Sequence, residues 1–132
     1  MARKSTPVTK STPIILVIED YSDRRTLLSA VLRAKGYKVV EASDGKEGLL
    51  QANRVKPDLI LMDLAMPKMD GIEATRQLRQ RHTLSQVPVF VISAYTTADV
   101  KQDALAAGCT EVFPKPIDIE SLLSKIKTRL GA

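Results

Sequence analysis

Five short apolar runs alternate with five amphipathic helical patterns, and this alternation constrains the fold more than any other feature of the chain. The apolar runs cover residues 14–18, 37–41, 59–63, 87–92 and 111–113. Strands that alternate with helices pair in parallel, because each helix carries the chain back to the same end of the sheet. The sequence therefore predicts an α/β fold, in which helices cover both faces of a five-stranded parallel sheet.

The composition of each run predicts its place in the sheet. Residues 59–62 are four large apolar residues bounded by Pro57 and Pro67, and residues 14–18 are an unbroken aliphatic run. Strands that are apolar at every position are buried on both faces, as in the middle of a parallel sheet. Residues 37–41 include a lysine and a glutamate, so we expect this strand nearer an edge.

The ends of the helices are predicted from residues that favour helix caps. The expected N-terminal caps are Ser22 or Asp23, Ser43 or Asp44, Thr96 or Thr97, and Asp118. Gly36 and Gly108 are typical of helix ends, and Pro57 prevents the second helix from continuing. The third helix, expected over residues 72–79, runs into a basic segment that includes the single histidine, His82, which we expect on the surface.

The net charge of +5 is concentrated near the N-terminus. Residues 1–13 contain Arg3, Lys4 and Lys10 without any acidic residue, and they are rich in Ser, Thr and Pro. Such a segment cannot bury enough apolar surface to order itself, so a flexible basic tail is expected there. The remaining residues, 14–132, have the length of one domain and a nearly balanced charge, which disfavours nucleic-acid binding.

Two further features exclude other classes of protein. No apolar run approaches the roughly 18 residues of a membrane-spanning helix, and the N-terminus lacks the apolar core of a secretory signal. We therefore expect no membrane association and a cytoplasmic location. Cys109 is the only cysteine, which excludes an internal disulfide and any multi-thiolate metal site, and we expect it to be a small buried residue.

Polar residues end four of the five predicted strands. They are Glu19 with Asp20, Asp63, Ser93 and Lys115. Because crossovers between parallel strands are right-handed, the carboxyl ends of all strands lie at one edge of the sheet, where open α/β sheets bind ligands. We therefore expect these side chains to lie close together.

The expected cluster suits phosphoryl transfer. Three carboxylates crowded together repel one another, and a divalent cation relieves that repulsion. Oxygen ligands with room for water suit Mg²⁺. With Asp63 as nucleophile and Lys115 and Ser93 as partners of the phosphoryl oxygens, an acyl phosphate on Asp63 is the expected product. Taken singly, an acid at a strand end can equally be a helix cap or a solvated loop residue.

Four stretches of the chain then carry a family signature: ILVIED at 15–20, MDLAMPKMDG at 62–71, VISA at 91–94 and FPKP at 113–116. Together they resemble the receiver domain of two-component response regulators, over residues 14–130. The resemblance implies a flavodoxin-like sheet of order 2-1-3-4-5. It also implies that Asp20 and Asp63 bind Mg²⁺ directly, that Glu19 acts through a metal-bound water, and that the backbone carbonyl of Ala65 completes the set.

The same resemblance assigns the phosphoryl chemistry. It implies that Asp63 is the phosphoacceptor, that Ser93 donates a hydrogen bond to the phosphoryl group, that Lys115 pairs with its oxygens, and that the Lys115–Pro116 bond is cis. The expected function is a stand-alone receiver. Its phosphoryl group would come from a histidine kinase or a histidine phosphotransfer protein, and it would signal through a downstream effector protein. Such a domain is a signalling substrate that promotes its own phosphorylation and dephosphorylation, not a turnover enzyme.

The chain departs from the family pattern at two positions. Glu19 replaces the commoner aspartate, and Val112 stands where receivers usually carry a switch aromatic, three residues before Lys115. Phe113 is expected on the opposite face of its strand. Tyr95 is either a substitute ring or an exposed loop tyrosine.

Several alternatives follow from the sequence. One is a receiver-fold interaction module that phosphorylation does not regulate. Others are an adaptor that uses the basic tail, and one receiver of a larger hybrid kinase. The acidic pair after the first strand argues against a flavodoxin, the missing glycine-rich lysine loop against a nucleotide hydrolase, and Ala65 against a haloacid-dehalogenase-type phosphatase.

Overall fold

The computed structural model describes residues 12–65 and 69–131. The strands are β1 (Ile14–Ile18), β2 (Lys38–Ala42), β3 (Leu59–Asp63), β4 (Val89–Ser93) and β5 (Glu111–Pro114). The helices are α1 (Ser22–Ala34), α2 (Gly45–Val55), α3 (Gly71–Arg79), α4 (Ala98–Ala107) and α5 (Ile119–Leu130). The predicted turn at Pro67 and nearly all of the predicted tail, residues 1–13, lie outside the described residues.

The strands form one parallel sheet in the order β2-β1-β3-β4-β5, as predicted. Side chains of successive strand residues point to opposite faces, so the sheet divides the core into two clusters. Leu16, Ile60 and Val91 belong to the cluster that α2, α3 and α4 cover. Leu61 and Phe90 belong to the other cluster, with side chains of α1 and α5. The predicted placement of β2 at an edge is confirmed.

Most of the predicted boundaries are confirmed within two residues. Asp44, Thr97 and Asp118 cap α2, α4 and α5, each accepting a hydrogen bond from a backbone N–H in the first turn. A cap at Ser22 or Asp23 was wrong: α1 begins directly at Ser22, and its N-cap residue, Tyr21, makes no side-chain capping bond. Only three residues separate β1 from α1, which leaves no room for a longer lead-in to the helix.

Several smaller expectations are also settled. The Lys115–Pro116 bond is cis, Cys109 is buried, and His82 is exposed in a short 3-10 turn, His82–Leu84, that the sequence did not predict. Burial raises the pKa of the Cys109 thiol. Among the described residues, no helix has the length and apolar character needed to cross a membrane.

The buried hydroxyl of Ser29 in α1 leads to a prediction about stability. Ser29 is fully buried, and its Oγ has no hydrogen-bond partner among the described residues. A buried polar group without a partner loses its hydrogen bonds to water and gains none in the protein, which destabilises the fold. We expect Ser29→Ala to raise the free energy of unfolding by about 1 kcal/mol, measured by urea denaturation.

The control for this prediction is Ser22→Ala in the same helix. Ser22 is exposed at the first position of α1, so its change is expected to stay within about 0.5 kcal/mol. A loss of stability in Ser29→Ala would mean that the hydroxyl has a partner, such as a buried water, that stabilises the fold.

Candidate functional site

The carboxyl ends of β1, β3, β4 and β5 meet at one edge of the sheet, and backbone hydrogen bonds continue past the strands there. Glu19 N donates to Ala42 O (3.0 Å), and Lys115 N donates to Ser93 O (3.0 Å). These bonds fix the backbone of the loops that carry the polar side chains. The residues predicted for the site are therefore positioned by the rigid part of the fold.

Three carboxylates form a compact cluster at this edge. One oxygen from each of Glu19, Asp20 and Asp63 lies within 4.8 Å of the other two. Glu19 and Asp63 are each only 2% exposed, whereas Asp20 is exposed to solvent. The cluster is closed on the side of the sheet and open on the side of Asp20.

Asp63 is held through both of its carboxylate oxygens. Oδ2 accepts a hydrogen bond from Lys115 Nζ at 2.9 Å, and Oδ1 accepts one from the backbone N–H of Ala65 at 3.0 Å. Arg24 Nη2 lies 3.7 Å from Oδ2. A buried carboxylate with these partners is fixed in orientation, as an attacking nucleophile must be.

Glu19 is bound by an arginine that reaches back from α1. Arg24 Nε donates to Oε1 (3.1 Å) and Nη2 donates to Oε2 (3.2 Å), and the backbone N–H of Tyr21 also donates to Oε2 (3.0 Å). Burial raises the pKa of Glu19, the bonds from Arg24 and Tyr21 oppose that rise, and the charge of Asp63 adds to it. The hydrogen bond to Glu19 raises the pKa of Arg24.

Ser93 and the loop residue Ala65 complete the set predicted from the sequence. Ser93 is the last residue of β4, follows Ile92, the register partner of Asp63, and is buried. Its hydroxyl donates to Tyr95 O (2.7 Å) and accepts from Tyr95 N (3.0 Å), so it bonds to its own loop. Ala65 is exposed, and its contact with Asp63 is made by its N–H.

Gly71 allows α3 to begin directly against the end of β3. A Cβ at this position would lie 2.9 Å from the carbonyl oxygen of Asp63 and 2.9 Å from Cα of Leu64. The Gly71 N–H donates to Leu64 O at 2.8 Å. Only glycine permits this approach, so the glycine contributes to the shape of the site.

Arg24 and Arg25 also lie at the site, and neither is among the residues predicted for it. Arg25 Nη1 donates to Glu19 O (2.7 Å), and its Nε lies 3.3 Å from Glu41 Oε1. Cations in the first turns of a helix are disfavoured by the helix dipole. Two adjacent arginines there, shortly after an acidic pair, were the available signal that both have carboxylate or carbonyl partners.

The position of the usual switch aromatic is occupied as the sequence predicts. Val112 is partly buried against the α2–α3–α4 cluster, while Phe113 packs on the opposite face, with its ring 5.2 Å from that of Phe90. Tyr95 is 69% exposed, which matches its interpretation as an exposed loop tyrosine. The position on β5 that usually carries the switch aromatic therefore holds a valine, and neither Phe113 nor Tyr95 lies there.

The acidic cluster has the chemistry of a divalent-cation site. All of its side-chain donors are carboxylate oxygens, two of them buried and one open to solvent, which fits a hard cation that keeps several waters. Such an ion would neutralise part of the negative charge crowded at this edge of the sheet. The residues present therefore fit Mg²⁺, and Lys115 adds a second positive charge beside Asp63.

Comparisons with known proteins agree with this geometry. A sequence model of the response regulator receiver domain matches residues 15–127. The chain is 35% identical over 120 residues to Protein PilH of Pseudomonas aeruginosa, covering 89% of this chain and 97% of PilH. It spans about half the length of several other curated relatives that it matches.

Two solved structures show the same architecture. Chemotaxis protein CheY4 of Vibrio cholerae is 30% identical, with a TM-score of 0.85, over 89% of this chain and 98% of that one. The receiver domain of the sensor histidine kinase PA1611 of Pseudomonas aeruginosa is 30% identical, with a TM-score of 0.84, over 92% of this chain and 100% of that one. The latter structure is described as having a magnesium ion coordinated in its active site cleft.

Proposed function

The chain belongs to the response regulator receiver family, and on that premise we propose that Asp63 accepts a phosphoryl group from a phosphohistidine of a histidine kinase or histidine phosphotransfer protein. The observation that carries the proposal is the placement of Asp63. Its buried carboxylate lies between Lys115 Nζ and the Ala65 N–H, beside two further carboxylates. Such an arrangement orients the nucleophile and neutralises the charge that develops around it.

The proposed step is an in-line transfer. An oxygen of the Asp63 carboxylate forms a bond to phosphorus while the phosphorus–nitrogen bond to the donor imidazole breaks. The imidazole nitrogen keeps the electron pair of that bond and takes a proton. Lys115 pairs with the phosphoryl oxygens, and Ser93 donates to them once its hydroxyl leaves the Tyr95 carbonyl.

The metal shell proposed for this step follows the acidic cluster. Asp20 and Asp63 would bind Mg²⁺ directly, Glu19 through a water, and the Ala65 carbonyl would complete the share of the protein. When bound, the ion neutralises phosphoryl oxygens, which lowers the barrier to transfer. The chain's own residues hold the nucleophile, exclude water from its buried side and supply the ammonium of Lys115.

The proposed output is a stand-alone signal. The match to PilH spans nearly the whole of both chains, which supports a receiver that acts through a separate effector protein. A receiver that promotes its own phosphorylation and dephosphorylation is a signalling component, not a turnover enzyme. A cytoplasmic location remains the expectation from the sequence.

A second candidate is a binding module that phosphorylation does not regulate. The observation that favours it is Val112, because no aromatic ring occupies the switch position on β5. The two candidates differ in the chemistry of Asp63, so one experiment separates them.

The test is the intact mass of the protein after incubation with phosphoramidate, which carries a phosphorus–nitrogen bond like that of phosphohistidine. With Mg²⁺ we expect a gain of one phosphoryl group per chain, and with EDTA we expect little gain. The product should be labile to hydroxylamine, as acyl phosphates are. A folded protein that gains no phosphoryl group with either phosphoramidate or acetyl phosphate would favour the unregulated binding module.

A further inference from the structure

The guanidinium of Arg24 is hydrogen-bonded to Glu19, one of the three carboxylates of the candidate metal site. Both oxygens of Glu19 accept hydrogen bonds from it, and Oε2 accepts one more from the Tyr21 N–H. Glu19 is 2% exposed, so few other partners can reach its oxygens. In this structure the cation bound to Glu19 is therefore the side chain of Arg24.

The side chain of Arg24 is partly exposed and also contacts an aromatic ring. Its side chain is 46% exposed, and its guanidinium carbon lies 4.7 Å from the centre of the Tyr21 ring. The Tyr21 hydroxyl donates to Asp23 Oδ2 at 3.2 Å, which helps to orient the ring. The ring gives the guanidinium an apolar face and a cation–π contact on the solvent side of Glu19.

The distribution of charge makes Arg24 and a divalent cation competitors. Within the described residues, Lys115 and Arg24 are the cationic side chains in ion pairs with the cluster, one on Asp63 and the other on Glu19. Arg24 Nη2 is also only 3.7 Å from Asp63 Oδ2. An ion bound among the three carboxylates would lie near this guanidinium and be repelled by it, and a Glu19 that turns toward the ion has to give up its paired hydrogen bonds.

We propose that Arg24 competes with the divalent cation for Glu19 and thereby weakens metal binding by the resting domain. Arg24 is thus a positioning residue, which acts on the site through Glu19. The inference rests on the metal site of the proposed function and does not depend on whether Asp63 is phosphorylated. Its consequence is that the affinity for Mg²⁺ is set partly by a residue of α1.

The test is a calorimetric titration of the full chain with MgCl₂ at constant ionic strength, without any phosphodonor. Arg24→Met keeps the length and much of the apolar contact with Tyr21 while removing the charge and the hydrogen bonds. We expect the Kd for Mg²⁺ to fall about tenfold, the change expected for loss of one charge-assisted pair. Arg24→Lys keeps the charge but loses the paired geometry, so its Kd should lie between the two.

The matched control is Arg33→Met in the same helix. Arg33 makes its ion pair with Glu41, and that pair is partly exposed, so this variant changes the net charge equally without touching the cluster. Its Kd is expected to match that of the wild type. Equal tightening in Arg33→Met would overturn the proposal, because net charge alone would then explain the effect.

Other outcomes are equally decisive. An unchanged or higher Kd in Arg24→Met, with or without a lower melting temperature, would show that Arg24 only supports the fold and would overturn the proposal. Absence of Mg²⁺ binding by both the wild type and this variant would overturn it too. If Arg24→Met fails to fold, Arg24→Lys decides the question by the same comparison. Mg²⁺ binding as expected, with no phosphoryl gain on Asp63, would overturn the proposed function and leave this inference standing.

Discussion

Asp63→Asn is expected to remove phosphorylation of the chain by small phosphodonors completely while leaving the fold intact. The side chains have the same shape, but the amide is not a nucleophile toward phosphorus at neutral pH. Its oxygen can still accept from the Ala65 N–H, as Oδ1 of Asp63 does. The measurement is the intact mass with phosphoramidate and Mg²⁺, together with the melting temperature of each protein.

Two aspartates that follow β1 in the chain serve as controls for Asp63→Asn. Asp23→Asn changes an exposed carboxylate whose side chain accepts from the Tyr21 hydroxyl, so phosphorylation should be unaffected. Asp20→Asn weakens the acidic cluster without removing the nucleophile, so its phosphorylation should recover as the Mg²⁺ concentration is raised. Only Asp63→Asn should fail at every Mg²⁺ concentration.

A contrary outcome for Asp63→Asn would be informative. A phosphoryl gain that persists in this variant would mean that another residue is the acceptor. Peptide mapping would then locate the residue that carries the phosphoryl group. The proposal that Asp63 is the acceptor would then be wrong, although membership of the family would stand.

The carboxyl-end cluster could be predicted because it depends on topology. Once the alternation of strands and helices predicts a parallel sheet, residues that end strands must share an edge, whatever their rotamers. Asp63 and Lys115 are 52 positions apart in the chain, and yet Lys115 Nζ lies 2.9 Å from Asp63 Oδ2. The sequence was sufficient here because backbone geometry alone brings the two side chains together.

The hydrogen bonds from Arg24 to Glu19 could not be predicted from topology in the same way. Its contact with Glu19 depends on the short link between β1 and α1 and on a long side chain turning back toward the strand. The same link explains why a cap at Ser22 or Asp23 was wrong. The bonding of Ser93 to the Tyr95 backbone is also a property of one loop conformation, which no residue pattern specifies.

Arg79 shows a further limit of prediction, because all of its hydrogen-bond partners in the described chain are backbone carbonyls. Nε and Nη2 donate to Gly108 O (3.0 and 2.8 Å). Nη1 donates to the carbonyls of Leu84, Ser85 and Val87, at 3.0, 3.2 and 2.6 Å. Carbonyls are present at every residue, so nothing in the sequence marks these as acceptors. One side chain thus connects the end of α3, the 3-10 turn, the approach to β4 and the end of α4.

The setting of Arg79 makes its hydrogen bonds costly to lose. Burial lowers the pKa of the guanidinium, and no carboxylate of the described residues forms an ion pair with it, so the carbonyls are its compensation for lost hydration. Gly108 is at φ +113°, and a Cβ there would lie 2.7 Å from Arg79 Cγ. The glycine therefore allows both the helix end and the close passage of the arginine.

Arg79→Ala is accordingly expected to lower the free energy of unfolding by about 3 kcal/mol, since several partly buried carbonyls lose a charged donor at once. Arg79→Lys should recover only part of this loss, because one ammonium cannot reach both Gly108 and the carbonyls near the 3-10 turn. The measurement is urea denaturation followed by circular dichroism. In the matched control, Arg76→Ala, an exposed arginine of the same helix loses its ion pair with Glu73, and the change should stay within about 0.5 kcal/mol. If both alanine variants lost equally little stability, the carbonyl contacts of Arg79 would contribute no more than a surface ion pair, and the loops that it joins would be held by the core alone.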